Sequence, residues 1–139
     1  MLAEQPAAPD ANTLSPEELV EMLDRFADAW NRHDVDGLLS FMADDATFDS
    51  SSGATMFGTR HEGRDAVRDG FTRVFATFPD VHFEQLGHFV VGNRGVSEWI
   101  FRGTRADTGA RVEVRGCDLF TLAGDRILVK NSFLKNRST

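Results

Sequence analysis

Apolar positions in the first third of the chain recur with the spacing of amphipathic helices. Ser15-Pro16-Glu17-Glu18 has the order of a capping box, in which Ser15 is the N-cap, Pro16 takes the first helical position and Glu18 reaches back. The apolar residues that follow lie on one helical stripe: Leu19, Met22, Leu23, Phe26 and Trp30. Asp34 is placed to cap a second, short helix that carries Leu38, Leu39 and Phe41. Two consecutive helices are therefore predicted.

The middle of the chain combines a short strand, a polar loop and a third helix. Thr47-Phe48-Asp49 is interpreted as a strand, and residues 50–58 are mostly small and polar, which is typical of a mobile loop. A third helix is expected over about residues 64–78 and is ended by Pro79. Its apolar residues lie on one side: Val67, Phe71, Val74, Phe75 and Phe78.

The rest of the chain has the pattern of β-strands separated by turns. The predicted strands cover residues 81–91, 95–105, 110–122 and 126–135. Three consecutive hairpins make these strands a four-stranded antiparallel meander. Helices first and sheet last is the order of an α+β domain. We therefore predict one domain over residues 14–139, with three N-terminal helices packed on a curved, mostly antiparallel sheet, after a flexible tail over residues 1–13.

Alternation along the strands assigns residues to the two sheet faces once the turns are fixed. A three-residue turn at 123–125 sets Asp118 opposite Lys130, and a three-residue turn at 107–109 sets Glu98 opposite Asp118. One face then holds these three charged residues and Arg102 among apolar neighbours. The other, outer face holds Trp99, Phe101, Leu119, Val129 and Phe133. Because that is a large apolar surface to leave in water, a homodimer through the outer face is expected.

Composition and charge narrow the classes of partner. The chain has a formal net charge of −7 and a pI near 5.0, so neither nucleic acid nor an anionic membrane is an expected partner. One cysteine cannot form an intrachain disulfide, no apolar run is long enough to cross a membrane, and the first residues lack signal-peptide features. A cytoplasmic protein is expected. Twelve Phe with two Trp and no Tyr indicate a large aromatic interior.

The charged residues of the first face allow two interpretations. Neighbouring carboxylates in an apolar wall favour a proton carrier near neutral pH, which would make Asp118 and Glu98 an acid/base site tuned by Lys130. Alternatively, Asp118 and Lys130 form a structural ion pair that closes one end of a pocket. His61 is a further candidate base at the pocket mouth, although a solvated surface histidine is the commoner case. The other histidines lack paired metal-ligand spacing, so neither a metal nor a cofactor is expected.

Two stretches of the chain carry a family resemblance. The first covers residues 26–38 (FADAWNRHDVDGL) and 41–48 (FMADDATF). The second is the hairpin of residues 116–120 (GCDLF) and 126–129 (RILV), with one Asp at a strand position that should otherwise be apolar. Together they resemble the SnoaL-like and NTF2-like superfamily, which includes ketosteroid isomerase. The resemblance implies a cone-shaped fold around a pocket and a dimer, and this fold has many unrelated uses.

The resemblance to ketosteroid isomerase can be followed position by position. Asp118 stands where that family has the carboxylic acid that donates to the enolate oxygen. Phe26 stands at the position of its oxyanion-hole tyrosine, and Ser50 at that of its carboxylate base, with Asp49 pointing to the opposite side. Steroid isomerisation of that kind is therefore not expected. The SnoaL-related polyketide cyclases need little more than one acid/base carboxylate in an apolar cavity, and Asp118 is compatible with that.

Two functional hypotheses follow. The first is a cofactor-independent enzyme of isomerase, cyclase or lyase type that acts on an apolar, carbonyl-bearing small molecule. Its catalytic candidates are a neutral Asp118 as the proton donor or hydrogen-bond donor to the carbonyl, Lys130 and Glu98 as groups that tune it, and His61 as a further candidate base. The candidate cavity wall consists of Phe26, Trp30, Ser50, Phe57, Phe71, Phe75, Val114 and Phe120. The second hypothesis is a non-catalytic binder of an apolar ligand or an accessory dimeric protein.

Overall fold

Three helices and six strands make up the part of the chain that the computed structural model describes, residues 14–138. Their order is α1 Pro16–Asn31, α2 Val35–Ser40, β1 Met42–Asp49, β2 Arg60–Glu62, α3 Arg64–Thr77, β3 His82–Val91, β4 Arg94–Thr104, β5 Arg111–Ala123 and β6 Arg126–Leu134. The predicted tail, residues 1–13, lies outside the described residues. The third helix and the four meander strands end within one residue of their predicted bounds. β1 begins five residues earlier than predicted, and β2 was not predicted as a strand.

The helices begin where side chains satisfy their first backbone N–H groups. At α1 the Ser15 side chain accepts from the Glu18 backbone N–H, and the Glu18 carboxylate accepts from the Ser15 backbone N–H. The Asp34 carboxylate caps α2 by accepting from the Gly37 N–H at 2.9 Å. Both predicted caps are confirmed. In the described part of the chain, no helix is both long and apolar enough to cross a membrane.

The six strands form one mixed sheet in the order β2-β1-β6-β5-β4-β3. All neighbouring pairs are antiparallel except β1 and β6, which run parallel. β1 and β2 precede α3 along the chain, so the three helices are not consecutive. Helix α1 contacts β3 and helix α3 contacts β1. The fold is therefore α+β, as predicted, with one mixed sheet that carries its helices on one face.

An aromatic cluster fills the space between the helices and the sheet. The ring of Phe26 in α1 meets four other rings edge-on, with centroid distances between 5.8 and 6.5 Å: Trp30, Phe41, Phe71 and Phe120. Such edge-to-face contacts stabilise the cluster beyond the burial of its area. Because these rings come from both helices and the sheet, the cluster fixes α1 and α3 against β5.

The predicted register between β4 and β5 is wrong by one residue. Asp118 lies opposite Ser97, and Glu98 lies opposite Cys117. The reason is the connection, which is a four-residue turn over residues 106–109 rather than a three-residue turn: the Arg105 N–H donates to Ala110, and the Gly109 N–H donates back to Arg105. A slip of one residue exchanges the faces of a strand. Glu98 therefore lies on the outer face, away from Asp118.

The exchange of faces on β4 also changes the predicted outer surface. Trp99 and Phe101 are buried in the core of the same chain, at 4% exposure each, and were wrongly assigned to the dimer face. Ile100 and Arg102 take their places on the outer face. The apolar outer face is therefore smaller than predicted and retains the half-buried Leu119 and Val129 with the exposed Phe133.

The predicted register between β5 and β6 is wrong by two residues, but each residue still lies on the predicted face of the sheet. Asp118 lies opposite Ser132, and Phe120 lies opposite Lys130. The turn contains two residues, with Gly124 at φ +59°, which shifts the pairing by one. A bulge after Thr121 shifts it by one more in the same direction. Two shifts of one residue restore the alternation, so Asp118 and Lys130 still share the inner face.

Gly116 is a position at which the fold tolerates no side chain. A Cβ there would lie 2.5 Å from the Phe133 carbonyl oxygen and 2.5 Å from the ring of Trp99. We expect Gly116→Ala to destabilise the protein by about 1–3 kcal/mol through overpacking. Chemical denaturation measures the change, and Cys117→Ala, on the half-buried outer side of the same strand, is the control with a smaller effect. Equal stability of Gly116→Ala and the parent chain would contradict the close packing of Trp99 on β5.

Candidate functional site

A buried cluster of one acid, one base and one hydroxyl lies on the inner face of β5 and β6. Lys130 Nζ donates to Asp118 Oδ1 at 2.9 Å and to Ser132 Oγ at 2.8 Å. Ser132 Oγ donates to the same Asp118 oxygen at 2.5 Å. Asp118 and Lys130 are 6% and 4% exposed, so the ion pair is almost entirely removed from water. The hypothesis of an Asp118–Lys130 pair agrees with this geometry.

Aromatic side chains surround the ion pair. Trp99 Nε1 donates to the second carboxylate oxygen of Asp118 at 3.2 Å. The Lys130 ammonium lies 5.1 Å from the ring centroid of Trp30 and 4.8 Å from that of Phe48, within the range of cation–π contacts. The helix α1 and the strands β1, β4, β5 and β6 thus each supply one side of the cluster.

The hydrogen bonds indicate that Asp118 is ionised, and they show how many of the Lys130 donors are in use. Asp118 accepts from Lys130, Ser132 and Trp99, which are the partners that an ionised carboxylate needs. Lys130 uses two of its three N–H donors on Asp118 and Ser132. One ammonium donor therefore has no acceptor in the described part of the chain.

Two adjoining spaces meet at Lys130. The inner space has about 10 Å³ and is lined by Asp118, Ser97 and Gln85 among others. The outer space has about 70 Å³ and is lined by Ser132, Ser50 and Ser51 together with apolar side chains. Trp30, Phe83, Trp99 and Lys130 line both. A water molecule needs about 10–15 Å³, so the inner space holds one water-sized group and the outer space a small organic group.

Four of the predicted wall residues lie at this cavity. Phe26 and Phe120 line the inner space, Ser50 lines the outer space, and Trp30 lines both. Ser50 belongs to the loop between β1 and β2, where its hydroxyl donates to the Ser52 carbonyl at 3.0 Å. The cavity mouth is therefore formed by small hydroxyl side chains, whereas its interior is aromatic.

The other four predicted wall residues lie elsewhere. Phe71 is fully buried in the aromatic cluster, and Phe75 packs on Trp30 and His33 behind the cavity. Val114 pairs with Phe101 farther along the sheet. Phe57 is half exposed, and its ring lies 3.6 Å from the Arg60 guanidinium. The helical and strand periodicity predicted the correct face for Phe71, Phe75 and Val114. It could not predict how far along that face each residue lies from the cavity.

His61 is separated from the ion pair by an aromatic ring. It lies opposite Phe48 in the β1–β2 pair, and the two rings stack with a centroid distance of 5.4 Å. Burial, together with the charge of Arg73, lowers the pKa of His61. Phe48 lies between this imidazole and Lys130, so the structure does not bring His61 into the cluster.

The remaining charged candidates lie on the outer face. Glu98 borders a surface depression with Arg115 and Cys117. Arg102 pairs there with Glu84 at 2.8 Å and Glu113 at 2.7 Å. Burial, and then the negative charges of Asp118 and Glu98, raise the pKa of the Cys117 thiol, which favours an unreactive thiol.

Asp49 lies on the opposite side of β1 from the cavity. It is buried at 2% exposure and is held by a bidentate ion pair, with Arg60 Nε and Nη2 each 2.9 Å from a carboxylate oxygen. This contact ties the base of the loop after β1 to β2. It confirms that Asp49 points away from the site and cannot replace the base missing at Ser50.

Two groups of polar residues at the site were not identified from the sequence. Ser132 was placed on the correct face but not in the site, although it bonds both members of the ion pair. Ser97 Oγ lies 2.7 Å from His88 Nδ1, and His88 Nε2 lies 3.4 Å from Asp24 on α1. This chain of groups extends from the inner space to the surface. Its members are far apart in sequence, and the register error placed Ser97 on the wrong face.

Comparisons with known proteins identify the family. A model described as a SnoaL-like domain matches residues 23–129. The chain belongs to this family. The resemblance drawn from residues 26–48 and 116–129 of this SnoaL-like protein is therefore confirmed. None of the curated proteins compared with the chain matches it.

Solved structures share the fold of this SnoaL-like protein. An NTF2-like protein of unknown function from Mesorhizobium loti is 27% identical, covers 93% of this chain and 98% of its own, and has a TM-score of 0.71. A candidate SnoaL-like polyketide cyclase from Jannaschia sp. CCS1 is 20% identical over 92% of each chain, with a TM-score of 0.75. TerC, co-crystallised with polyporic acid, is 15% identical over 87% of this chain and 92% of its own, with a TM-score of 0.73.

The ion pair is expected to dominate the stability of the site. Lys130→Met leaves the Asp118 carboxylate buried without its cation, and we expect a loss of about 3–5 kcal/mol in the free energy of unfolding. The double variant Asp118→Asn/Lys130→Met removes both charges and should be more stable than Lys130→Met alone. Urea denaturation of the parent, the two single variants and the double variant measures the coupling. Additive effects would contradict a direct interaction between the two groups.

Proposed function

We propose that this SnoaL-like protein is a small-molecule enzyme of isomerase, cyclase or lyase type that moves a proton on an apolar, carbonyl-bearing substrate without a cofactor. The observation that carries the proposal is the Lys130–Asp118 pair, which lines an aromatic cavity and has one ammonium donor without an acceptor among residues 14–138. The match to the SnoaL-like family and the polyketide cyclase candidate among the fold neighbours support this class of chemistry. The polyporic acid complex of TerC supports an organic ligand.

Lys130 is the group that would bind the carbonyl oxygen. Lys130 lines the outer space, and its ammonium nitrogen lies near the rings of Trp30 and Phe48. A carbonyl oxygen that accepts a hydrogen bond from the free donor of Lys130 gains a charge-assisted hydrogen bond from an ammonium group that is itself almost fully buried. The bond strengthens as negative charge develops on the oxygen, which is the requirement for catalysis of enolisation.

Asp118 is the group that would take the proton. Its Oδ1 already lies 2.9 Å from Lys130 Nζ, so a carbonyl oxygen on the same ammonium is a neighbour of the carboxylate. A proton removed from the adjacent carbon passes to Asp118, while the electron pair of the broken C–H bond moves to the oxygen beside Lys130. The ammonium faces one negative charge before and after the step. This differs from the expected neutral Asp118 that donates to the carbonyl, because Asp118 accepts all its hydrogen bonds here.

A non-catalytic binder is the second candidate, and one observation favours it. Lys130 and Ser132 line the outer space, whereas Asp118 lines only the inner one. Asp118 already has three donors from the protein, so it also has a purely structural explanation as the counter-ion of Lys130. In that case the cavity binds a ligand through Lys130 and no proton moves.

The variant Asp118→Asn distinguishes the enzyme from the non-catalytic binder. The probe is 3,3-dimethylbutan-2-one, a compact ketone with a single enolisable methyl group, whose exchange with D2O is followed by ¹H NMR. We expect the parent protein to accelerate the exchange and Asp118→Asn to reduce that acceleration by about 10²-fold or more, since general-base catalysis contributes about 10²–10⁴-fold. The affinity for the ketone should stay within about threefold, because Lys130 is retained.

Glu98→Gln is the matched control for this experiment. It removes a carboxylate from the outer face of the neighbouring strand and should leave the exchange rate unchanged. Exchange that persists in Asp118→Asn would exclude Asp118 as the base. Binding of the ketone without any exchange in the parent protein would favour the non-catalytic binder.

We also propose that the protein forms a homodimer through the outer face of the sheet. Phe133 is 49% exposed there, beside Leu119 and Val129, even after Trp99 and Phe101 are assigned to the core. Phe133→Asp should convert a dimer into a monomer in size-exclusion chromatography with light scattering. Met56→Asp, at an exposed position of the loop after β1, is the control and should leave the mass unchanged. A monomeric parent protein would contradict the proposal.

A further inference from the structure

The cavity holds a cation whose charge is already compensated. Lys130 is the only Lys or Arg among the described residues that line the inner and outer spaces, and the one carboxylate that lines them, Asp118, accepts from it at 2.9 Å. The other lining side chains are aromatic, aliphatic or neutral polar groups. The charged groups of the cavity therefore sum to zero before a ligand enters.

From this arrangement we infer that Asp118 makes the pocket selective for uncharged ligands and excludes carboxylates of the same shape. The inference rests on the proposed function in one respect, namely that a ligand oxygen binds Lys130. It goes further in naming the charge of the substrate and in assigning Asp118 a role in specificity. An uncharged ketone needs only the free N–H of Lys130, and it leaves the ion pair intact.

A carboxylate ligand meets two opposing effects in this cavity. It gains a bond to Lys130, but it places a second negative charge beside Asp118, which shares the same ammonium. Like charges at such distances repel strongly where water is excluded. The carboxylate also loses its hydration, and the indole N–H of Trp30, the buried donor of the walls that has no partner among the described residues, is a neutral group that replaces only part of it. The neighbouring hydroxyl of Ser132 already donates to Asp118 and so cannot donate to the ligand at the same time.

Removal of the internal anion should therefore invert the selectivity. In Asp118→Asn, Lys130 keeps its amide neighbour and its contact with Ser132 but loses its counter-ion. A ligand carboxylate then supplies the missing negative charge, in the same way that a buried cation acquires a partner within a protein. The ketone gains nothing from this change, since it carries no charge.

The test uses two ligands of equal size and two internal reporters. The ligands are 3,3-dimethylbutan-2-one and 2,2-dimethylpropanoate, in which a methyl group of the ketone is replaced by the second carboxylate oxygen. The reporters are Trp30 and Trp99, the two tryptophans of the chain, and both line the cavity. Binding is therefore measured as a change in intrinsic fluorescence at near-neutral pH.

The parent protein should bind the ketone at least about tenfold more tightly than the carboxylate. In Asp118→Asn, the carboxylate affinity should rise at least about tenfold, while the ketone affinity stays within about threefold. Asp118→Asn/Lys130→Met, which lacks both charges, should show no gain for the carboxylate. Glu98→Gln removes one negative charge from the outer face and should also show no gain, which separates a local effect from the net charge of the chain.

Each outcome tests either the charge selectivity of the pocket or the proposed binding of a carbonyl group to Lys130. Equal or tighter binding of the carboxylate by the parent protein overturns the charge selectivity, and this comparison needs no variant to fold. A gain for the carboxylate that is as large in Glu98→Gln as in Asp118→Asn also overturns it. A parent protein that binds neither ligand contradicts the proposed carbonyl pocket, whereas a carboxylate that then binds Asp118→Asn still supports the role of Asp118.

Discussion

The buried ion pair between Lys130 and Asp118 is the constraint on which the architecture of the site depends. An ammonium group with 4% exposure is tolerated in this interior only because Asp118 and Ser132 accept its hydrogen bonds and two aromatic rings face it. These partners come from β5, β6, α1 and β1. Any displacement of one element therefore leaves a charge without its partner, so the polar cluster fixes the relative positions of elements that the aromatic core alone would hold less specifically.

The same pair limits what the cavity can do. Aromatic rings pack between the helices and the sheet, and the inner and outer spaces among them meet at Lys130. A ligand in the outer space therefore encounters a single charged donor in an apolar surrounding. Such a site discriminates by the placement of one oxygen and by overall shape, because it offers few other polar contacts.

Local patterns predicted much of the fold, whereas the site depended on register. The capping box of α1, the Asp34 cap of α2, the Phe26–Trp30 stripe and the strand alternation involve neighbours in sequence, and these predictions agree with the structure. The Asp118–Lys130 pair was found because the short turn at Gly124 and the bulge after Thr121 shift the register in the same direction. Glu98 was misplaced because one extra residue in the turn at 106–109 has no compensating bulge. A turn length is thus the weakest step in reasoning from strands to a site.

Contacts between distant parts of the chain could not be derived from these patterns. The parallel pairing of β1 with β6 brings Phe48 beside Lys130, and no turn connects these strands. The group formed by Asp24, His88 and Ser97 likewise joins α1, β3 and β4. Considered one at a time in the sequence, these three residues look like common surface or strand residues and give no sign that they interact. Only the assembled sheet shows that they connect the inner space, which Ser97 lines, with the surface at Asp24.

The parallel pairing of β1 with β6 also sets the order in which the interior can form during synthesis. A ribosome makes Trp30, Phe48 and Asp118 before Lys130, and β6 must then be inserted between β1 and β5. Until β6 is inserted, Asp118 on β5 lacks the cation of Lys130 that neutralises it in the folded protein. The native core is therefore completed only after translation has passed residue 132.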